Sequence, residues 1–244
     1  FQPQITTFKE LYNHYRNIII GKFNPMSLAK ILFKEKFGYS IENEPINSLN
    51  RKLFNLAFFN PVDIWTTLAD KLAVRKFVKS KGCADILLTV YKYWDNVGVI
   101  DFSSLPNSFV LKCNHDNGST ILVYDKFSVD KSFIEDFYRR KLSLPFGIET
   151  AEPHYLGIKP FVFAEELLEN DKQFSSGLVS YKFFSVHGKV KFCQVIYDTE
   201  CYDEQKSQIY ETNGWIQCPG YILKNEGRMK IPQPTSLMKM LEVV

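Results

Sequence analysis

The stretch Phe109–Asp125, FVLKCNHDNGSTILVYD, holds the residues best suited to chemistry in this chain. Lys112 follows a β-forming run, Phe109–Leu111, and Asn114–Thr120 separates it from a second run, Ile121–Tyr124. The intervening residues tolerate tight turns and offer backbone N–H groups. A lysine at a strand end beside such a loop suits a polyphosphate, with the ammonium as a point charge and the loop amides cradling oxygens. The same residues also fit an ordinary β-hairpin with a surface lysine, and the stretch alone does not choose between the two. His115 and Asp116 resemble a general acid and its orienting carboxylate, although a loop position explains them as well. Cys113 reads as a small packed residue rather than a nucleophile.

The elements around this stretch follow from caps and periodicity. Thr7-Phe-Lys-Glu10 is a capping box that opens an aromatic-rich helix to about Ile20. Ser27 caps a second helix, with Leu28, Ile31 and Leu32 on one face, ending at Gly38. A third covers Ser48–Phe59, before Pro61. A helix begins at Asp63 or Thr67 and runs through LADKLAVRKFVKSKG to a stop at Gly82. Asp85–Tyr93 reads as a strand and Trp94–Ser108 as a loop. Asp130 caps Lys131–Lys141, with Phe133, Ile134 and Phe137 facing inward. Ser143–Ile158 is irregular, and Lys159–Leu168 is a buried strand that ends in carboxylates. Leu178–Val186 and Lys189–Tyr197 flank His187-Gly188, a good two-residue hairpin turn. Ser207–Glu211 and Trp215–Gln217 are weaker strands, Lys224–Lys230 is basic and turn-like, and Ser236 caps a last helix. Strands interleaved with helices, some paired as hairpins, give an α+β chain rather than a doubly wound sheet.

Composition narrows the function classes. A net charge of +3 over 244 residues makes no demand for nucleic acid as a partner. Ile18–Ile20 is far too short to span a membrane. Cys83, Cys113, Cys193, Cys201 and Cys218 are odd in number and never spaced C-x-x-C, which fits free thiols in a cytoplasm better than disulfides or a zinc site. The chain opens at Phe1 rather than Met, which leaves room for a preceding segment. Lys30, Lys34, Lys36, Arg51 and Lys52 give the N-terminal helices basic outer faces. These read as a solvated surface, or as a peripheral contact with the inner face of a membrane or with a partner.

Four features stand in a definite order: Asp70-Lys71 on a helix, Lys112 before the Gly118-Ser119 loop, Glu165-Glu166-Leu167 at a strand end, and the Tyr181–Phe192 hairpin. In this order the chain resembles the TupA-like family of the ATP-grasp superfamily. LADKLAVRKFVK (Leu68–Lys79), LPNSFVLKCNHDNGS (Leu105–Ser119), IKPFVFAEELLE (Ile158–Glu169) and YKFFSVHGKVKF (Tyr181–Phe192) carry the resemblance, with LFKEKFGYSIENEPIN and IPQPTSLMKMLE as weaker support.

The resemblance implies an ATP-grasp fold, two α+β lobes sandwiching a nucleotide, with a helical N-terminal module. It divides the chain into a helical module over 1–62, an α/β segment over 63–108, a lid lobe over 109–168 ending in the adenine hinge, and the incomplete start of a C-terminal lobe over 169–244. Lys71 and Lys112 would contact phosphates and help fix the adenine. Asn114, His115, Asn117, Gly118, Ser119 and Thr120 belong to the lid over the β- and γ-phosphates. Glu165, Glu166 and Leu167 would form the hinge, Glu169 could reach the ribose, and Lys182 could reach a phosphate. Each has an ordinary alternative: Lys71 as an exposed helix lysine, Glu165 and Glu166 as a strand end in solvent, Lys182 as the polar face of a hairpin. The family more often shows His-Gly-Ser-Gly where this chain has His115-Asp116-Asn117-Gly118, one glycine fewer, which stiffens the loop.

The implied cofactors are ATP and Mg2+, and the magnesium ligands are expected beyond Val244. The implied activity is an ADP-forming carboxylate–amine ligase of bacterial cell-surface polysaccharide biosynthesis, with a saccharide or amino-acid acceptor. Leu142–Tyr155 and Cys201–Gly220 are candidate acceptor loops. A glycosyltransferase and a non-catalytic nucleotide-binding protein are the alternatives, and the chain has no Asp-x-Asp run to hold a sugar-nucleotide donor's metal.

Overall fold

The computed structural model describes residues 7–143, 146–169, 174–199, 204–219, 225–227 and 229–244. The chain divides into two compact units, Phe1–Leu167 and Leu168–Val244.

The first unit opens with three helices, α1 (Phe8–Phe23), α2 (Pro25–Phe37) and α3 (Leu49–Phe58). The Thr7–Glu10 capping box forms in both directions, at 3.2 and 3.0 Å. The second cap is Asn24 rather than Ser27: Asn24 Oδ1 accepts from the Ser27 amide at 3.0 Å, and Pro25 fills the first helical position, where its missing N–H costs nothing. Gly38 ends α2 in the left-handed region, and Ser48 caps α3 as expected.

α1 turns its apolar side outward. Phe8, Tyr12, Tyr15, Ile19 and Phe23 recur at helical spacing and are all exposed, Phe8 and Phe23 by more than four-fifths (85% and 81%). Its buried positions are Asn17 and Gly21. A Cβ at Gly21 would lie 1.9 Å from the Ile148 carbonyl oxygen, so only glycine allows this approach.

The single helix expected from Asp63 or Thr67 to Gly82 is two, α4 (Ile64–Ala69) and α5 (Val74–Ser80). Asp70 breaks it. Its backbone is extended, and its carboxylate accepts from the amides of Leu72 (2.8 Å) and Ala73 (3.2 Å), which offers the chain an alternative to helical bonding. The expected strand Asp85–Tyr93 is also shorter: Ala84–Ile86 form a 3₁₀ turn, and β1 is Val90–Trp94.

β1, β2 (Phe109–Cys113), β3 (Ile121–Val123) and β4 (Val162–Glu165) form one antiparallel sheet in the order β1-β4-β2-β3. α6 (Lys131–Ser143) packs on one face. There Ile134, Phe137 and Tyr138 meet Phe109, Leu111, Cys113, Val162 and Ala164. Phe133, expected inward, is 54% exposed, and Tyr138 is buried in its place. Alternation along β2 and β4 puts Val110, Lys112, Phe163 and Glu165 on the opposite face.

The second unit is an antiparallel meander of β5 (Ser180–Val186), β6 (Lys189–Tyr197), β7 (Lys206–Glu211) and β8 (Ile216–Gln217), followed by α7 (Leu237–Val243). His187 and Gly188 both have positive φ (51° and 70°), which is what a twisted two-residue hairpin needs. Cys193, Val195, Tyr197, Tyr210 and Ile231 form its core. Ser236 precedes α7 but makes no side-chain cap bond. Lys224 and Arg228 of the basic turn lie outside the described residues.

Candidate functional site

The β2 to β3 connection is built from the inside out. Cys113 and Asn114 continue β2, and the Asn114 amide bonds the Phe161 carbonyl at 3.1 Å. Asn114 is fully buried. Its Nδ2 donates to Asp70 Oδ1 and to the Lys159 carbonyl, both at 3.0 Å, and its Oδ1 accepts from the Phe161 amide at 2.7 Å. One side chain therefore joins the α4–α5 break, β2 and the approach to β4.

Lys71 reaches the same loop. Its Nζ donates to the carbonyls of Cys113 (3.1 Å) and Asp116, and its own amide bonds the Asn114 carbonyl. Burial holds its ammonium below the ordinary lysine range, against the pull of the Asp116 carboxylate. Lys71 is thus half-buried and anchors the loop through backbone carbonyls.

Within the loop, Ser119 Oγ donates to Asp116 Oδ1 at 2.5 Å and accepts from the Cys113 amide at 2.8 Å. Tyr138 donates to the Ser119 carbonyl at 2.7 Å, and Lys141 lies 3.6 Å from Asp116 Oδ2. His115 is buried, with Nε2 3.3 Å from the Lys141 carbonyl and, among the described residues, no partner for Nδ1. Desolvation pushes its pKa below the ordinary histidine value. Burial also pushes the Cys113 thiol up to about 12, consistent with a packed residue. Asn114, His115, Asp116 and Ser119 form the buried base of the loop, and Asn117, Gly118 and Thr120 are its exposed tip. Gly118 has φ +84°, and among the described residues none is hydrogen-bonded to the amides of Asn117 and Gly118.

On the sheet face away from α6, Lys112 forms an ion pair with Glu165. The register pairs Lys112 with Phe163 and Val110 with Glu165, so the two charged residues are diagonal neighbours on one face. Glu165 is only 7% exposed and the Lys112 side chain 27%, with Val110 and Phe163 buried beside them. Glu166 takes another path: its amide bonds the Thr89 carbonyl at 2.9 Å, and its carboxylate accepts from the Thr89 amide at 3.2 Å. Leu167 follows it, half-buried.

The geometry brings Lys71, Asn114, His115 and Ser119 into one cluster and Lys112 and Glu165 into a second on the same sheet. Glu169 and Lys182 belong to the second unit and are exposed; Lys182 stands opposite Gln194 on β5, while Tyr181 and Phe183 turn to the core. Asp70 and Lys141 are the partners that sequence reasoning did not assign to the site. Asp70 stood in the Asp70-Lys71 pair, but nothing local shows that its carboxylate serves Asn114.

Beside the loop base lies a groove of about 710 Å³, walled by α5 and β1, with Asp70, Asn114 and Phe161 also in its lining. Arg75, Lys76, Lys79 and Lys92 line it, together with Tyr91 and Tyr93.

Residues 52–243 match the family described as TupA-like ATPgrasp. The chain belongs to this family. No curated protein and no solved structure matches it. The matched span takes in the four main motifs from Leu68 to Phe192, while α1 and α2 and the LFKEKFGYSIENEPIN segment precede it. The mixed α+β architecture with two antiparallel sheets and N-terminal helices is that of an ATP-grasp protein of the TupA-like kind.

Among the described residues no three of His, Cys, Asp or Glu gather as a metal set. Glu200, Cys201, Tyr202 and Asp203 lie outside the described residues, as do Leu144, Pro145 and Gly220 of the candidate acceptor loops. Four cysteines, Cys83, Cys113, Cys193 and Cys218, are free thiols. Among the described residues no helix is long and apolar enough to cross a membrane.

Proposed function

We propose that this TupA-like protein binds ATP on the Lys112–Glu165 face of the first unit's sheet and uses it to join a carboxylate to an amine. The observation that carries the reading is Lys112: a cation on a largely apolar strand face, held by one buried carboxylate, on the strand that leads into an exposed loop tip whose amides have no hydrogen-bond partner among the described residues. Lys112 would exchange Glu165 for a phosphate oxygen. The Asn117 and Gly118 amides would receive the terminal phosphates, and the glycine's positive φ lets the backbone approach closely.

Lys71, Asn114, His115 and Ser119 serve differently in this reading. They make the loop base rigid, so that only its tip has freedom to close. Glu166 has its amide committed to Thr89, which leaves the Leu167 backbone as the better hinge contact for an adenine edge. Glu169 and Lys182 keep the ribose and phosphate roles only as the family resemblance implies them.

The reaction would run in two steps. A substrate carboxylate attacks the γ-phosphorus of ATP, forming an acylphosphate and releasing ADP. An amine then attacks the acyl carbon, an amide bond forms, and inorganic phosphate leaves with the proton lost from nitrogen. The protein's contribution is positioning and charge: Lys112 and the loop amides offset the negative charge on the transferred group. Magnesium, when bound, would supply further charge neutralisation; among the described residues no three His, Cys, Asp or Glu side chains gather to hold it. The family's setting favours an acceptor from cell-surface polysaccharide biosynthesis. The absence of an Asp-x-Asp run counts against a glycosyltransferase. ADP release measured over panels of acidic sugars and amino acids tests the reading. Acid- and amine-dependent ADP supports it, and ATP binding with no ADP from any pair leaves a non-catalytic nucleotide binder instead.

The outward aromatic stripe of α1 favours work against an anionic membrane surface. Lys9 and Lys22 are exposed on the same helix as Phe8, Tyr12, Tyr15, Ile19 and Phe23, a pairing of aromatic rings and lysines suited to lipid headgroups. Vesicles containing phosphatidylserine should sediment the protein, and Phe8→Ser/Phe23→Ser should release it; equal sedimentation of both proteins would discard this placement.

A further inference from the structure

The groove between α5 and β1 is a concentration of charge that the proposed nucleotide contacts do not use. Arg75, Lys76, Lys79 and Lys92 line it, against the single carboxylate of Asp70. That carboxylate is already engaged by two backbone amides and by Asn114. Among the described residues none of the four cations is in an ion pair. Arg75 donates to the Leu88 carbonyl and Lys92 to Ser104 Oγ at 2.7 Å, both neutral acceptors. Lys92 alternates with Tyr91 and Tyr93 along β1 and sends its ammonium to Ser104, near the Asp101 carboxylate, so the cations that face the groove are Arg75, Lys76 and Lys79, an excess of two over Asp70. Unneutralised cations in a concavity repel one another and attract a multiply charged anion.

The groove also presents rings. Tyr91 and Tyr93 are 37% and 61% exposed, and Phe161 meets Tyr93 at 5.5 Å with the planes at 88°. Two rings at right angles do not make a parallel-walled slot for a flat base. A single exposed face such as that of Tyr93 suits the apolar C–H face of a sugar ring. A volume near 710 Å³ is in the range that seats whole small molecules rather than one inorganic ion.

We propose that this groove binds an acidic saccharide, a sugar carrying two or more carboxylate or phosphate groups, with Lys76 and Lys79 taking the acid groups and Tyr93 the ring face. Resting on the ligase reading, this is the acceptor seat: Asn114 and Asp70 in its lining are bonded to each other, and Asn114 belongs to the base of the loop whose tip would hold the terminal phosphates. Arg75 shapes the wall and adds long-range attraction.

The test is calorimetric titration of the full chain with trigalacturonate, glucose 1,6-bisphosphate, neutral maltotriose and inorganic triphosphate, with ATP–magnesium titrated separately. The variants are Lys76→Glu/Lys79→Glu and Tyr93→Ala, all at exposed positions, with circular dichroism confirming their fold. At least one acidic sugar should bind with an affinity that falls with salt, maltotriose should not, and the charge reversal should weaken the acidic sugar at least tenfold while ATP affinity stays unchanged. Tyr93→Ala should weaken the sugar and leave triphosphate unaffected. Trigalacturonate against the bisphosphate separates carboxylate from phosphate recognition. Acidic sugars binding no better than maltotriose would overturn the proposal, as would unchanged affinity after charge reversal. Equal loss of sugar and ATP on charge reversal would also overturn it, by making the groove part of the nucleotide site. Sugar binding by a protein that does not bind ATP would leave the groove standing and remove the ligase reading.

Discussion

Lys112→Met should cost folding stability as well as nucleotide affinity. Lys112 is paired to Glu165, which is 7% exposed and flanked by Val110 and Phe163. Removing the ammonium leaves a carboxylate among apolar neighbours. Breaking a fully buried pair costs about 3–5 kcal/mol. The Lys112 side chain keeps 27% of its exposure, so water reaches part of the site and the figure drops to about 1–3 kcal/mol. For a chain of this size that is a fall in Tm of about 2–12 °C. Glu165→Gln alone should cost less, because Lys112 can turn to solvent. In Lys112→Met/Glu165→Gln no charge is stranded, so the double variant should be more stable than Lys112→Met. Urea unfolding of all four proteins closes a double-mutant cycle, with an expected coupling of at least about 1 kcal/mol. A Lys112→Met protein as stable as the parent, with coupling below about 0.3 kcal/mol, would refute the reasoning from burial.

Other consequences are as direct. Asn114→Ala removes three part-buried hydrogen bonds made by a fully buried side chain, for an expected loss of about 1–3 kcal/mol in chemical unfolding. Limited proteolysis should cut the loop at Asn117-Gly118, the exposed tip, and ATP should protect it; cutting that ATP does not change would remove the closing-tip assignment. His115 has its pKa depressed by burial, so the unfolded chain takes up its proton first as pH falls. Its contribution to stability is therefore complete above the ordinary value of 6.5 and is lost as pH drops through the folded value, and His115→Gln should flatten that part of the stability–pH curve. In the folded protein Cys83 and Cys218 should react with a thiol reagent well before Cys113 and Cys193, whose thiols burial raises to about 12 and about 11.

Local chemistry made much of the fold legible. The Thr7–Glu10 box, the Gly38 stop and the His187-Gly188 turn depend on neighbours in sequence, and each forms as its residues dictate. The errors have local causes too. Asn24 and Ser27 are both good caps three residues apart, and Pro25 decides for the first. Asp70 interrupts a stretch whose apolar spacing is continuous, because its side chain bonds the next two amides. At the site, residue types were readable but partners were not. Lys112 and Glu165 are 53 positions apart and Lys71 and Cys113 are 42 apart, so only tertiary pairing reveals which lysine anchors a loop and which faces an apolar strand surface. The basic groove was hidden for the same reason: Lys76 and Lys79 look like the polar side of a helix until β1 brings Tyr93 alongside.

The most direct test of the nucleotide site is ATP–magnesium affinity in Lys112→Met/Glu165→Gln, the variant that loses the cation without stranding its partner. If Lys112 meets a phosphate, one charge-assisted contact of about 1.5–3 kcal/mol disappears, and affinity should fall at least tenfold in a protein that still folds. ATP bound as tightly by the folded double variant as by the parent would contradict the account.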